Sequence, residues 1–331
     1  MIEEIDRNLY RLEIPLPQNP LKSINSYVIK SPLRNLVIDT GLNREECRKA
    51  LLQGFETLRV DLAQTDFFIT HLHADHLALA TTIAHHTASI YLNDADARRI
   101  AIFQKRSGFE QFALLHGMPE DEVKEGLDNH PGVKYGVGLV PAFHICTEGD
   151  TMQVDDYEFT CLETPGHSFG HMCLYEPRRK YLLSGDHILG DITPNIQTWF
   201  EDWNPLVAYL ASLDKTYLLD VKLVLPGHRK IFRDCRRRID ELKQHHDARA
   251  REVLAILSDV GKTAYEVASM MTWDIVCDSW DTFPVAQKWF ALGEAIAHLV
   301  YLESRNELRR ETTPAGWVFS RTARDAANLN I

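Results

Sequence analysis

Apolar and polar residues alternate along Leu9-Tyr-Arg-Leu-Glu-Ile-Pro-Leu, a period of two that predicts an antiparallel strand. Residues 25–30 and 35–39 predict two more, joined by a turn at Pro32. Phe67, Phe68 and Ile69 form a continuous apolar run, the pattern of a strand buried on both faces. Short runs of the same kind recur at residues 89–92, Val140–Cys146, Thr151–Val154, Tyr157–Glu163, Met172–Tyr175, Tyr181–Leu183 and Lys222–Leu225. Between them the pattern becomes helical. Helices are predicted from about Asn43 to Phe55, over Leu77–Ala84, over Leu206–Leu219, and two or three times from Asp94 to about Asn129. In the last stretch Ile100, Phe103, Phe109, Phe112, Leu115 and Met118 are scattered apolar positions, and Pro119 suits a fresh helix start. Beyond Arg233 the pattern predicts three helices: Arg233–Leu257, one opening at Thr263, and Val285–Ser304. Thr263 and Glu266 have capping-box spacing. Leu308–Arg310 and Trp317–Ser320 read as a two-stranded wing about Pro314-Ala315-Gly316, ahead of a tail, Thr322–Ile331, expected to be loosely held.

Composition narrows the class. A chain of 331 residues has room for two domains and a sizeable core. The net charge of −11 opposes broad, non-specific binding to nucleic acid. Six cysteines (Cys47, Cys146, Cys161, Cys173, Cys235, Cys277) show no CxxC spacing, and several lie in apolar runs. They read as reduced core cysteines of a reducing, cytoplasmic compartment. Met1–Arg7 is charged with no apolar segment behind it, and no stretch reaches the roughly 18 apolar residues that span a bilayer, so no membrane partner is expected.

The chemistry concentrates directly after the Phe67–Ile69 run. Thr70 leads into a turn with His71, His73, Asp75 and His76. Three imidazoles and a carboxylate so close together make a poor core and a poor helix face, but a good nest for metals. His71 and His73, two apart, point the same way from an extended segment. Asp75 and His76 fall where the chain turns helical and can face a second ion. Zinc favours such ligands, and metal-activated water needs a site left partly open. Three further candidates each follow a strand: His167 in Thr164-Pro-Gly-His, Asp186 in Ser184-Gly-Asp, and His228 in Pro226-Gly-His. Their glycines allow sharp turns, so that strand-end side chains converge on one edge. Asp39, at the end of a buried strand, reads either as a carboxylate that orients a ligand histidine or as a helix N-cap. His171 and His187 sit beside candidate ligands and either line the pocket or lie behind it.

The ordered set His-x-His-x-Asp-His, Pro-Gly-His, Ser-Gly-Asp, Pro-Gly-His resembles the metallo-β-lactamase-fold hydrolases of the glyoxalase II type, over roughly residues 1–235. The resemblance implies an α/β fold, an αββα four-layer sandwich, with a dinuclear site on one edge. It assigns His71, His73 and His167 to one metal, Asp75, His76 and His228 to the other, and Asp186, with a hydroxide, to the bridge between them. Asp75 is then the catalytic residue that passes the proton on. Two Zn2+ ions suit these ligands, and iron or manganese are alternatives set by availability. A helical insertion at about 94–130 either covers the site as a lid or packs elsewhere.

Residues 236–331 resemble the winged-helix domain of a subgroup that includes β-lactamase-like endoribonucleases. Its charge argues against a groove reader: from His245 onward nine Lys and Arg face twelve Asp and Glu. Packing, homo-oligomerisation or a pocket wall is the preferred role. Departures from the patterns of relatives narrow the substrate. Asp186 stands where the main β-lactamase class has cysteine. The stretch after it lacks the glutathione-binding Cys-Gly-Lys of glyoxalase II. Leu189 stands where quorum-quenching lactonases carry tyrosine. The expected function is hydrolysis of a small-molecule thioester or ester, with an RNA phosphodiesterase as the alternative.

Overall fold

The computed structural model describes residues 1–103, 107–138, 140–258, 260–314 and 316–322. The tail beyond Thr322 and Ala315 of the expected wing turn lie outside the described residues. The chain divides into two compact units. Unit 1 comprises Met1–Gln104, Pro131–Pro194 and Ala211–Ile239; unit 2 comprises Lys105–His130, Asn195–Leu210 and Asp240–Ile331.

Unit 1 holds two sheets. The first runs β1 (Ile2–Asp6), β2 (Leu9–Pro15), β3 (Ser23–Ile29), β4 (Asn35–Ile38), β5 (Thr65–Phe68), β6 (Ile90–Asn93) and β7 (His144–Cys146), in that spatial order. β1 to β4 pair antiparallel and β4 to β7 parallel. The second sheet has the order β12-β11-β10-β9-β8, from β8 (Thr151–Val154), β9 (Tyr157–Glu163), β10 (Met172–Glu176), β11 (Tyr181–Gly185) and β12 (Leu223–Pro226). The apolar runs explain why these strands lie inside. Phe68, Leu36, Ile38, Tyr27 and Ile29 face one buried cluster with Tyr157, Phe159, Leu174 and Leu225 of the second sheet. Their neighbours Phe67, Ile69, Val37 and Val28 face the opposite cluster, with Leu51 and Phe55 of helix α1 (Glu45–Leu58). Period-two alternation thus feeds both faces of one sheet, and each fully buried side chain of this size contributes roughly 1.5–3 kcal/mol.

Two expectations are corrected here, and one strand is added. The helix expected over Leu77–Ala84 is two single turns, α2 (Ala74–Leu77) and α3 (Ala80–Ile83). The amide of Leu79 donates to Gly41 O (3.1 Å) and that of Ala80 to Thr40 Oγ1 (3.0 Å), so tertiary acceptors replace helical ones. β7 is shorter than Val140–Cys146, because Pro141 has no N–H for the ladder. β1 is an added strand, charged and largely exposed, at the edge of its sheet.

The remaining helices are α4 (Asp94–Phe103) and α7 (Pro131–Lys134) in unit 1, and α5 (Ser107–Leu115), α6 (Glu120–Asn129), α10 (Ala264–Met270) and α11 (Val285–Ser304) in unit 2. α8 (Pro205–Tyr217) and α9 (Cys235–Ile256) run through the unit boundaries. In unit 2, Trp289 stacks on Trp199 at 4.0 Å, and Trp289, Leu292 and Ile296 of α11 are buried within the single chain. Lys288 pairs with Glu122 of α6 at 2.5 Å. β13 (Leu308–Thr313) and β14 (Gly316–Arg321) form the terminal hairpin. No helix among the described residues is long and apolar enough to cross a membrane. Five cysteines are buried and Cys277 is exposed.

Candidate metal centre

The candidate ligands all lie just past the carboxyl ends of unit 1 strands. Asp39 follows β4, the His71–His76 turn follows β5, His167 follows β9, Asp186 follows β11 and His228 follows β12. Parallel β4–β5 and β11–β12 pairs aim those ends the same way. Seven side chains meet there. His71, His73 and His167 form one group, Asp75, His76 and His228 another, and His71, His76 and Asp186 a third; within each, one donor atom per residue lies within 4.8 Å of the others. Asp186 faces all of them: Oδ1 is 3.6 Å from His76 Nε2, and Oδ2 is 3.5 Å from both His167 Nε2 and His228 Nε2. Asp75 Oδ2 is 3.4 Å from His228 Nε2.

The outer partners decide which nitrogen faces inward. His76 Nδ1 lies 2.7 Å from Asp39 Oδ2, and a carboxylate only accepts. Nδ1 therefore carries a proton, and Nε2 is the nitrogen turned to the cluster, where it offers a lone pair once its own proton has left. His228 is fixed the same way by the Ser23 carbonyl at 2.8 Å from Nδ1. Thr70 Oγ1 donates to Asp39 Oδ2 (2.8 Å) and accepts from His71 Nδ1 (3.0 Å), which turns His71 Nε2 inward. That nitrogen lies 2.9 Å from His73 Nδ1. The buried Nε2 atoms of His76 and His228 and Oδ1 of Asp186 have no hydrogen-bond partner among the described residues. Inward-facing ring nitrogens, unpartnered buried atoms and two carboxylates are a donor set that fits divalent cations, which would take the place of the protons on His76 and His228.

Asp39 itself sits at φ 54°, its amide pointing back to Phe68 O, and it caps no helix: Arg44 occupies the N-cap of α1. Close packing explains two glycines. A Cβ on Gly227 would lie 2.6 Å from Asp186 Oδ1, and one on Gly185 2.7 Å from His171 Nε2.

Electrostatics divide the cluster. Burial is the largest influence on His71, His73, Asp75, His76, Asp186 and His228, and it disfavours charge. At His71 and His73 neighbouring imidazoles add to it, holding His71 well below the usual value and His73 down at about 3. At His76 and His228 carboxylates outweigh burial, holding His76 well above the usual value and His228 up at about 10. The paired Asp75 and Asp186 are held low by the same imidazoles, against their burial. One half of the cluster thus supplies neutral ligands, and the other demands positive charge.

The structure places His171 beside Asp186 without aiming it at the cluster. His171 Nε2 accepts from the Asp186 amide (3.1 Å), and Nδ1 donates to Thr164 Oγ1 (2.8 Å). His187 Nε2 donates to Thr216 Oγ1 (3.0 Å), whose own proton goes to Ser212 O. It belongs to the sheet–helix packing. Asp96, which the sequence reading passed over, is fully buried and touches two ligand-bearing turns. In the sequence it reads as an ordinary acid in the first turn of a helix.

The family model described as the metallo-β-lactamase superfamily matches residues 19–228. The chain belongs to the metallo-β-lactamase superfamily. A second model, the metallo-β-lactamase-like C-terminal domain, matches residues 250–322 of this superfamily member. The β-lactamase-like protein 2 homolog of Caenorhabditis elegans is 27% identical over 78% of this chain and 72% of its own length. The acyl-coenzyme A thioesterase MBLAC2 of Homo sapiens is 27% identical over 63% of this chain and 74% of its own. A crystal structure of a metallo-β-lactamase family protein from Thermus thermophilus, 28% identical, superimposes with a TM-score of 0.81 over 96% of this chain and 100% of that one. The fold is therefore the mixed α/β metallo-β-lactamase fold, and the chain is a metal-dependent hydrolase.

Proposed function

We propose that this superfamily member is a dinuclear zinc hydrolase of a small-molecule acyl thioester. The observation that carries the metal reading is the convergence of seven donors, three of whose rings, His71, His76 and His228, are turned Nε2-inward by outer hydrogen bonds. His71, His73 and His167 would hold one ion, Asp75, His76 and His228 the other, and Asp186, which faces both sets, would bridge them. A divalent pair there supplies Lewis acidity and lowers the pKa of a water from 15.7 towards about 7. The protein's own part is orientation and proton handling. Asp39 and the Ser23 carbonyl hold His76 and His228 in one tautomer. Asp75 is the more exposed of the two clustered carboxylates, its side chain 16% accessible against 8% for Asp186. It is placed to take a proton from the site and return it to solvent or a leaving group.

The thioester assignment is supported by the likeness to an acyl-coenzyme A thioesterase. An RNA substrate is less favoured. In unit 2, Arg309 pairs with Glu311 at 3.2 Å, and Arg310 with Glu303 at 3.3 Å and Glu201 at 3.6 Å, so the hairpin arginines already face carboxylates. The test is a side-by-side assay of the zinc-loaded protein on an acyl-coenzyme A thioester and a bis-aryl phosphodiester, with metal content measured. The expected result is a strong thioester preference, two zinc ions per chain, and no turnover above the buffer rate for Asp186→Ala, which also loses metal. A phosphodiester preference overturns the substrate assignment. Full activity of Asp186→Ala overturns the site.

A further inference from the structure

Asp96 lies in the first turn of α4, outside every motif that carries a candidate ligand. Its carboxylate is fully buried and accepts three hydrogen bonds from two distant turns. Oδ2 accepts from the amide of Leu72 (2.9 Å), the residue between His71 and His73. Oδ2 also accepts from Ser168 Oγ (2.7 Å), next to His167. Oδ1 accepts from the amide of Gly170 (2.7 Å). The approach at Gly170 is close: a Cβ there would lie 2.7 Å from the Asp96 amide and 2.5 Å from Asn93 Oδ1.

The turn after β5 and the turn after β9 come from different sheets, yet they must deliver His71, His73 and His167 to within one ion's reach. We infer that Asp96 is a positioning residue that clasps these two turns and sets the metal affinity of the His71–His73–His167 group. The chemistry requires a carboxylate. Both oxygens meet backbone N–H groups, and an amide can offer an acceptor to only one of them. Asp96→Asn keeps size and shape but must set an NH2 against Leu72 N–H or Gly170 N–H. The clasp then opens on one side whichever way the amide turns. The Asp75–His76–His228 group has a separate anchor, because Asp39 holds His76 and the Ser23 carbonyl holds His228. The loss should therefore fall on one group and spare the other.

This inference rests on the dinuclear reading, and the experiment separates the two. Zinc binding to the full chain is titrated against a chromogenic chelator, and the cobalt-loaded protein is followed by its visible absorption. The wild type should bind two ions. Asp96→Asn should bind one of them 10- to 100-fold more weakly and the other within about threefold, the usual scale for losing an outer partner of a ligand set. Its cobalt spectrum should change at low loading, and excess zinc should restore turnover. Ser168→Ala removes one of the three hydrogen bonds and should give a smaller loss at the same site, which keeps the inference testable if Asp96→Asn fails to fold. A wild type with two ions whose variants bind both as tightly, or lose both equally, overturns the clasp alone. A wild type that binds no ion overturns the metal reading and the clasp together.

Discussion

A buried carboxylate does different work from a buried amide of the same shape, and Asp39 shows why. Oδ1 accepts from Thr70 N–H at 2.9 Å, while Oδ2 accepts from Thr70 Oγ1 and from His76 Nδ1. Every group around it is a donor. Asp39→Asn must therefore set an NH2 against one of them. If that one is His76, the ring is pushed into the other tautomer, with Nε2–H facing the cluster in place of a lone pair. Zinc affinity of the full-length variant should fall 10- to 100-fold, with far-UV circular dichroism unchanged. Competition against a chelator measures the first and exposes any general unfolding. An Asp39→Asn protein that binds zinc like the wild type would show that the tautomer is set by something else. Asp39 and the seven clustered residues were legible in the sequence because each ends a strand-like run in a short, local motif. Asp96 was not. Its three contacts lie 24, 72 and 74 residues away in sequence, and nothing next to it distinguishes a clasp from a first-turn helix acid.

Elements were readable where local chemistry closed on itself. The start of α10 is such a case. Thr263 Oγ1 accepts from Glu266 N–H at 3.2 Å, and Glu266 Oε2 accepts from Thr263 N–H at 2.7 Å, the reciprocal pair that the Thr-x-x-Glu spacing predicts. Thr263→Ala leaves the Glu266 amide without its cap and should cost about 1 kcal/mol, within the usual 0.5–2 for this substitution. A denaturant midpoint that does not move would mean that packing, rather than the cap, fixes this helix end. α2 and α3 show the opposite case. Leu77–Ala84 has a helical composition, but Thr40 and Gly41 offer acceptors to the Leu79 and Ala80 amides, and tertiary bonding overrides propensity. The segments 105–130 and 195–210 are likewise assigned to unit 2 by contacts that no local pattern announces.

On the scale of the molecule, titratable groups and reporters are unevenly shared. All six tryptophans (Trp199, Trp203, Trp273, Trp280, Trp289, Trp317) belong to unit 2, so tryptophan emission reads that unit alone. Unit 2 also carries three buried histidines, His116, His246 and His298, and a half-buried one, His130. Burial holds His116, His130 and His298 down at about 4 and His246 well below its usual value, so all four are neutral in the folded chain. In the unfolded chain they take up protons below about pH 6.5. Between that pH and about 4 the unfolded state therefore binds more protons, and stability falls as the pH falls, by about 1.4 kcal/mol per pH unit for each net proton. Glu294 works against this, since burial raises its carboxyl and the folded state holds its proton longer. Four histidines outweigh one carboxyl. Urea midpoints followed by tryptophan emission should therefore fall steadily from pH 7 to pH 4.5, and His298→Gln should make the slope shallower by about one proton. His298 is the informative choice, because its Nδ1 donates to Glu294 O and its Nε2 faces His246 Nδ1 at 3.3 Å, which leaves it no room for a second proton without losing the contact. A midpoint that stays flat over this range would mean that the four rings meet water or counter-charges before the unit unfolds.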